Sequence, residues 1–187
     1  MPTLIFFKPY GVVSQFTDPN GAPTLASYLA IPDVYAAGRL DKDSEGLLIL
    51  TDDGRLAARI THPARHMEKT YYVQVERIPD EAALTNLRQG VILNGYRTRP
   101  AHVALLPGEP DLPPRGVPIR FRVQVPTAWL RIRIHEGKKR QIRHMTAAVG
   151  HPTLRLVRVA IGPLTLSGLQ PGEWRQLSAS EIQALMT

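Results

Sequence analysis

Hydrophobic positions along this chain fall into short runs whose period changes from segment to segment. Thr3 to Phe7 is a continuous β-branched and aromatic run, read as a buried strand that ends at the turn residues Lys8-Pro9-Tyr10-Gly11. Leu25 to Ala30 predicts a short helix stopped before Pro32, and Gly38 to Gly46 is too rich in Gly, Asp and Ser to be anything but a loop. A strand resumes over Leu47 to Thr51, Asp52-Asp53-Gly54 turns, and Leu56, Ala57 and Ile60 mark a helical face that ends at His62-Pro63. From Lys69 to Arg77 the pattern alternates, with Tyr71, Val73 and Val75 on one face and Tyr72, Gln74 and Glu76 on the other.

The next helix is capped by Asp80, carries Ala83, Leu84 and Leu87 as its apolar stripe, and stops at Gly90. Asn94-Gly95 between Val91-Ile92-Leu93 and Tyr96-Arg97-Thr98 predicts a tight hairpin, because both central residues tolerate positive φ. Pro107 to Pro118 holds five prolines and two glycines in twelve positions, which makes it an exposed loop or a hinge. Alternation at Ile119-Phe121-Val123-Val125 and at Leu130-Ile132-Ile134 predicts two antiparallel strands joined across Pro126-Thr127. Lys138 to Val149 has helical spacing, with Ile142, Met145 and Val149 inward and Gly150 closing it, and Ser178 to Glu181 reads as a capping box before a last helix. The expected architecture is α+β: a mixed, mostly antiparallel sheet flanked by helices, in one domain spanning residues 1–187.

Composition narrows the function. The 187 residues suffice for a sizeable core, no apolar run approaches membrane-spanning length, and the lack of cysteine suits a reducing compartment, so a cytoplasmic protein is expected. The formal net charge is +7, and from Arg115 to Arg158 eleven Lys or Arg face a single acid, Glu136. A basic face of that kind fits a nucleic-acid partner, through release of condensed counterions. Against this background five carboxylates (Asp41, Asp43, Glu45, Asp52 and Asp53) crowd residues 36–57. Asp43, Glu45, Asp52 and Asp53 fit ordinary roles as turn formers, caps or solvated charges. Asp41, two residues after Arg39 at a glycine-bearing turn that feeds a buried strand, is placed to act as a nucleophile or base.

Five stretches, in order, carry a family resemblance: FKPYGVVSQF, AGRLDKDSEGLLILTDDG, EKTYYVQV, EGKKRQIRHM, and LRLVRVAIGPLTLSGLQPGEWRQL. They cover nearly the whole chain and resemble the pseudouridine synthases of the ribosomal-RNA branch, most of all its short large-subunit type, which lacks the small S4-type RNA-binding domain. The resemblance implies an active-site cleft between two lobes, with Asp41 as the catalytic aspartate. It implies that Arg39 enters the RNA stack, Tyr71 lies against the target uracil, Ile142 lines the base pocket from below, and Arg143 pairs with Asp41. Without it, Tyr71 and Ile142 read as core and Arg143 as a solvated helix charge. Lys138, Lys139 and Arg140 are expected to track phosphates.

The implied reaction uses no cofactor and no metal. His62 and His66 cannot share a helical face across Pro63, and His102, His135, His144 and His151 lack ligand spacing; His135 and His144 fit RNA or surface contacts better. The implied partner is ribosomal RNA, acted on by a monomer. The competing reading is a non-catalytic RNA-binding module in which Asp41 is only an ion-pair partner.

Overall fold

The structure is a computed structural model that describes residues 2–65, 67–120 and 122–187. Strand β1 (Thr3–Lys8) is buried on both faces, with Ile5 in one apolar cluster and Leu4 and Phe6 in another. A strand covered on both sides reads as a continuous apolar run, which explains the TLIFF pattern. Where a helix to Ala30 was expected, a single 3-10 turn, Leu25–Ser27, forms under the Thr24 cap. Strand β2 (Tyr35–Ala36) precedes the loop, and β3 (Glu45–Thr51) follows it, splitting Leu47 and Ile49 from Leu48 and Leu50 between the same two clusters.

Helix α1 (Gly54–Thr61) begins where the Asp53 carboxylate accepts from the N–H groups of Arg55 and Leu56. Strand β4 (Lys69–Glu76) keeps its predicted alternation, with Tyr71, Val73 and Val75 in a third cluster. Helix α2 (Glu81–Gln89) is capped by Asp80 and ends at Gly90, whose φ of 100° suits a glycine. The hairpin β5 (Ile92–Leu93) and β6 (Tyr96–Arg97) turns through Asn94 and Gly95 at φ 50° and 77°, as their sequence required. The remaining elements are β7 (His102–Leu105), β8 (Thr127–Ile134), α3 (Gln141–Ala148), β9 (Thr153–Ile161), β10 (Leu164–Thr165), β11 (Trp174–Gln176) and α4 (Ala179–Met186), the last with the capping box of Ser178 and Glu181.

Neighbouring strands run in the order β11-β1-β3-β9-β4-β8-β7, with β2 beside β3 and β10 beside β9, while β5 and β6 pair apart from the main sheet. Among the described residues every pairing is antiparallel except β3 with β9, so the sheet is mixed and mostly antiparallel, as expected. Two more predicted elements differ. No strand forms over 119–125 among the described residues: Val123 is 94% exposed, and Phe121 lies outside the described residues. Strand β8 pairs instead with β4 and with β7, whose Val103 and Leu105 sit opposite Ile132 and Leu130. Alternation alone carries no information about the partner, and a segment with no neighbouring strand to pair with forms no ladder. Helix α3 also starts at Gln141 rather than Lys138, because Arg140 takes a left-handed backbone, φ 53°, at the cap position.

The parallel junction of β3 and β9 joins the loop before β3 to the centre of the sheet. Gly46 sits beside Arg158 at φ 111°, where a Cβ would lie 2.2 Å from the Arg158 carbonyl oxygen. One residue earlier, Glu45 receives the Nε and Nη2 of Arg155 at 3.0 and 2.9 Å, and Arg155 also donates to the Pro113 carbonyl at 2.7 Å. Glu45 is therefore a buried ion-pair partner, not a solvated charge, and Arg155 and Arg158, at 3% and 4% exposure, are withdrawn from the basic face.

Candidate active site

The loop between β2 and β3 delivers Arg39, Leu40 and Asp41 to the rim of a cavity of about 690 Å³. Tyr71 from β4, Ile142 from α3 and the turn Lys138-Lys139-Arg140 line the same cavity, together with Lys69 and Arg158. Hydrogen bonds to the Ser14 hydroxyl and between backbone groups hold the loop in shape. Leu40 N–H donates to Ser14 Oγ, Ser14 Oγ donates back to the Leu40 carbonyl at 2.7 Å, and Gly11 N–H donates to the Lys42 carbonyl at 2.8 Å. Arg39 is exposed at the rim, with Nη2 3.1 Å from Gln15 Oε1. The pairing of β4 with β9 is irregular between Thr70 and Tyr71 and sets Tyr71 opposite Arg158. Such irregularities commonly re-aim a side chain beside a functional cleft.

The charges around Asp41 depart from the expected pairing. Arg140 Nη1 lies 3.6 Å from Asp41 Oδ2, while the Arg140 guanidinium grips Asp43 with two bonds of 2.9 Å. Arg143 does not pair with Asp41. Its Nη2 donates to the Asp43 carbonyl oxygen at 2.8 Å and its Nε stands 3.7 Å from the Asp43 carboxylate. The reason lies in the start of α3: with Arg140 at the cap, Arg143 falls in the first turn beneath Asp43, and Arg140 is the cation that reaches the cleft side. Asp43 is thus the anchor of two arginines. Burial works to raise its pKa, but the Arg140 hydrogen bond and the charges of Arg143 and Arg140 outweigh that and hold it below the usual carboxylate range. Arg143 is shifted down by burial, with Asp43 and Asp41 partly offsetting it.

In and behind the cleft stand three cations that the sequence did not single out. Lys8 is fully buried and its Nζ donates to the carbonyls of Val12 at 2.6 Å, Pro9 at 2.8 Å and Lys42 at 3.4 Å. Arg158 donates from Nε to the Leu47 carbonyl at 2.8 Å, and burial together with Arg158 lowers the pKa of Lys69. A lysine at a strand end followed by proline looks like any turn lysine, so only the packing reveals Lys8. Burial draws its pKa from 10.5 down to about 7, against the attraction of Glu45, Asp43 and Asp41. Below pH 7 the folded and unfolded chains both hold this proton; between pH 7 and 10.5 the unfolded chain binds it more. Stability therefore rises with pH across that window, at up to about 1.4 kcal/mol per unit from this group. Urea unfolding at pH 7, 8 and 9 should show that rise and its loss in Lys8→Met; equal slopes in both proteins would refute it.

Among the described residues no group of three or more His, Asp or Glu side chains is placed to hold a metal ion, and His66 lies outside the described residues. Among the described residues no helix is long and apolar enough to cross a membrane.

The chain that builds this cavity, with an aspartate on a Gly-Arg-Leu-Asp loop at its rim, a tyrosine in its wall and basic side chains around it, matches the RNA pseudouridylate synthase family over residues 2–148. The chain belongs to that family and is an RNA pseudouridine synthase, an isomerase. It is similar to the ribosomal large subunit pseudouridine synthase E of Xanthomonas campestris pv. campestris, 59% identical over 178 residues, which span 94% of this chain and 95% of that protein. The enzyme of the same name from Vibrio vulnificus is 54% identical over 175 residues, 94% of this chain and 74% of the relative. A crystal structure of a pseudouridylate synthase superposes with a TM-score of 0.82 at 32% identity, over 98% of this chain and 73% of the other.

Proposed function

We propose that this enzyme isomerises a specific uridine of large-subunit ribosomal RNA to pseudouridine, as a cytoplasmic monomer, with Asp41 as the catalytic residue. The observation that supports this most is the convergence of Arg39, Asp41, Tyr71 and Ile142 on one cavity, rimmed by Lys138, Lys139 and Arg140. The relatives that are ribosomal large subunit pseudouridine synthases supply the substrate class.

A stacked uridine hides its glycosidic bond, so the nucleotide must be turned out of the RNA into the cavity. Exposed Arg39, released from Gln15, fills the space left in the stack and meets phosphate, while Lys138, Lys139 and Arg140 follow the backbone. The Tyr71 ring, 8% exposed in the wall, offers a flat surface over which the base can turn in its plane. Asp41 triggers cleavage of the bond from C1′ to N1, by attack at C1′ or by removing the C2′ proton to give a glycal. The uracil rotates and C5 bonds to C1′, displacing the Asp41 ester on the first route or with return of the proton to C2′ on the second; the C5 proton then leaves and N1 takes up a proton. Composition is unchanged, so the reaction calls for no co-substrate. Arg140 stands 3.6 Å from the Asp41 carboxylate, and Arg143 acts through Asp43.

The test is incubation of the purified protein with unmodified total rRNA, followed by pseudouridine mapping through carbodiimide-blocked primer extension. A new stop in large-subunit rRNA is the expected result and identifies the uridine. A stop confined to small-subunit rRNA would overturn the large-subunit assignment, and RNA binding with no stop on rRNA or on immature subunits would overturn ribosomal RNA as the substrate.

A further inference from the structure

The single acid in the basic segment, Glu136, does not spread through that surface as a counter-charge; it is used up in fastening the β5–β6 hairpin beside the cleft. Its side chain is 8% exposed. The carboxylate accepts from the Tyr96 hydroxyl, from Gln141 Nε2 at 2.6 Å and from the Arg99 N–H at 3.1 Å, with Arg99 Nε 4.0 Å away. Gln141 Oε1 in turn accepts from the Lys138 N–H at 3.2 Å, and Lys138 Nζ sits 3.6 Å from the centre of the Tyr96 ring. The hairpin, the Lys138-Lys139-Arg140 turn and the start of α3 are therefore one connected unit, of which Lys138 itself lines the cavity.

The base of the hairpin is equally fixed. Thr98 N–H donates to the Val91 carbonyl and Val91 N–H to Thr98 Oγ1, both at 2.9 Å, and Gly90 packs so closely that a Cβ there would lie 2.2 Å from the Thr98 carbonyl oxygen. The register then sorts the two faces. Leu93 stands opposite Tyr96 on the face turned to the protein, where Leu93 packs on the core, and Ile92 stands opposite Arg97 on the outer face. Ile92 is 66% exposed, Arg97 is exposed, and residues 91–99 contain no carboxylate. A rigid arm with an arginine beside an exposed branched aliphatic side chain, continuous with a basic rim, can meet a phosphate and the apolar edge of a ribose together. It loses little conformational freedom on binding.

We propose that the outer face of the β5–β6 hairpin, Arg97 with Ile92, is an RNA-binding arm that grips the strand flanking the flipped uridine. The proposal rests on the reading that this chain acts on ribosomal RNA. Binding is measured with unmodified large-subunit rRNA transcribed in vitro, across a salt series, for the wild type, Arg97→Ala and Arg97→Glu. Melting temperatures confirm that these exposed-site variants fold. Loss of one phosphate contact weakens binding by about fivefold for Arg97→Ala and lowers the slope of log K against log salt by about 0.7 to 0.9, with a larger loss for Arg97→Glu. The loss falls on Kd rather than on the single-turnover rate at saturating RNA. Wild-type Kd and salt slope in both variants would overturn the arm. A wild type that forms no pseudouridine, with weakened RNA binding by the Arg97 variants, would instead overturn the catalytic reading and leave the arm standing.

Discussion

Asp41→Asn is expected to remove pseudouridine formation while holding RNA affinity within about twofold of the wild type. Asparagine matches aspartate in size and keeps an oxygen toward Arg140, whose Nη1 stands 3.6 Å from the carboxylate, so the loop geometry survives. What is lost is the negative charge and with it the ability either to attack C1′ or to take the C2′ proton. Removing the group that makes or breaks the bond costs roughly 10⁴-fold or more in related nucleophilic chemistry, because positioning by the rest of the site cannot replace it. The readout is primer extension after carbodiimide treatment, beside filter binding on the same RNA. Residual turnover above about one per cent of the wild type would move the chemistry away from Asp41. A parallel loss of affinity would show that the variant had damaged the rim rather than the reaction.

Arg155→Ala should lower the free energy of unfolding by about 3–5 kcal/mol, the largest stability effect expected of any single change considered. The guanidinium and its partner Glu45 are 4% and 2% exposed, and removing one leaves the other charged, buried and unpaired. The Pro113 carbonyl loses its donor at the same time. The pair itself need not be strongly stabilising, because two desolvated charges recover little more than their hydration. The double variant Glu45→Leu with Arg155→Met should therefore regain most of the loss, falling short by about 1 kcal/mol for the Pro113 carbonyl left without its partner. Denaturant unfolding of the three proteins at pH 7 decides this. A double variant as unstable as Arg155→Ala would mean that the ion pair itself carries the energy.

The local elements were legible because their causes are local. Asp53, Asp80 and Ser178 cap helices, Gly90 stops one, and Asn94-Gly95 turns a hairpin through interactions that span a few residues. The alternating face of β4 and the doubly buried run of β1 follow from the strand period and from which faces are covered. The segment 119–125 misled because alternation marks a surface suited to pairing without naming a partner; β8 found β7 and β4 instead. The same limit applies to the acids of the loop. Nothing in the string DKDSE separates the solvated from the buried, yet Asp43 binds two arginines from around α3 and Glu45 binds one from β9.

By itself the sequence determined the helix caps, the hairpin turn, the mixed and mostly antiparallel architecture, the family through its five ordered motifs, and Asp41 as the candidate nucleophile. These depend on dihedral preferences, hydrophobic period and motif order, all written along the chain. Only the tertiary structure decided that Arg140 and not Arg143 stands beside Asp41, that Lys8 is buried behind the loop, and that Glu136 ties the hairpin to the cleft. Each of these joins charges many residues apart. Their energies depend on distance and on exclusion of water, which the packing of strands and helices sets and the linear order does not.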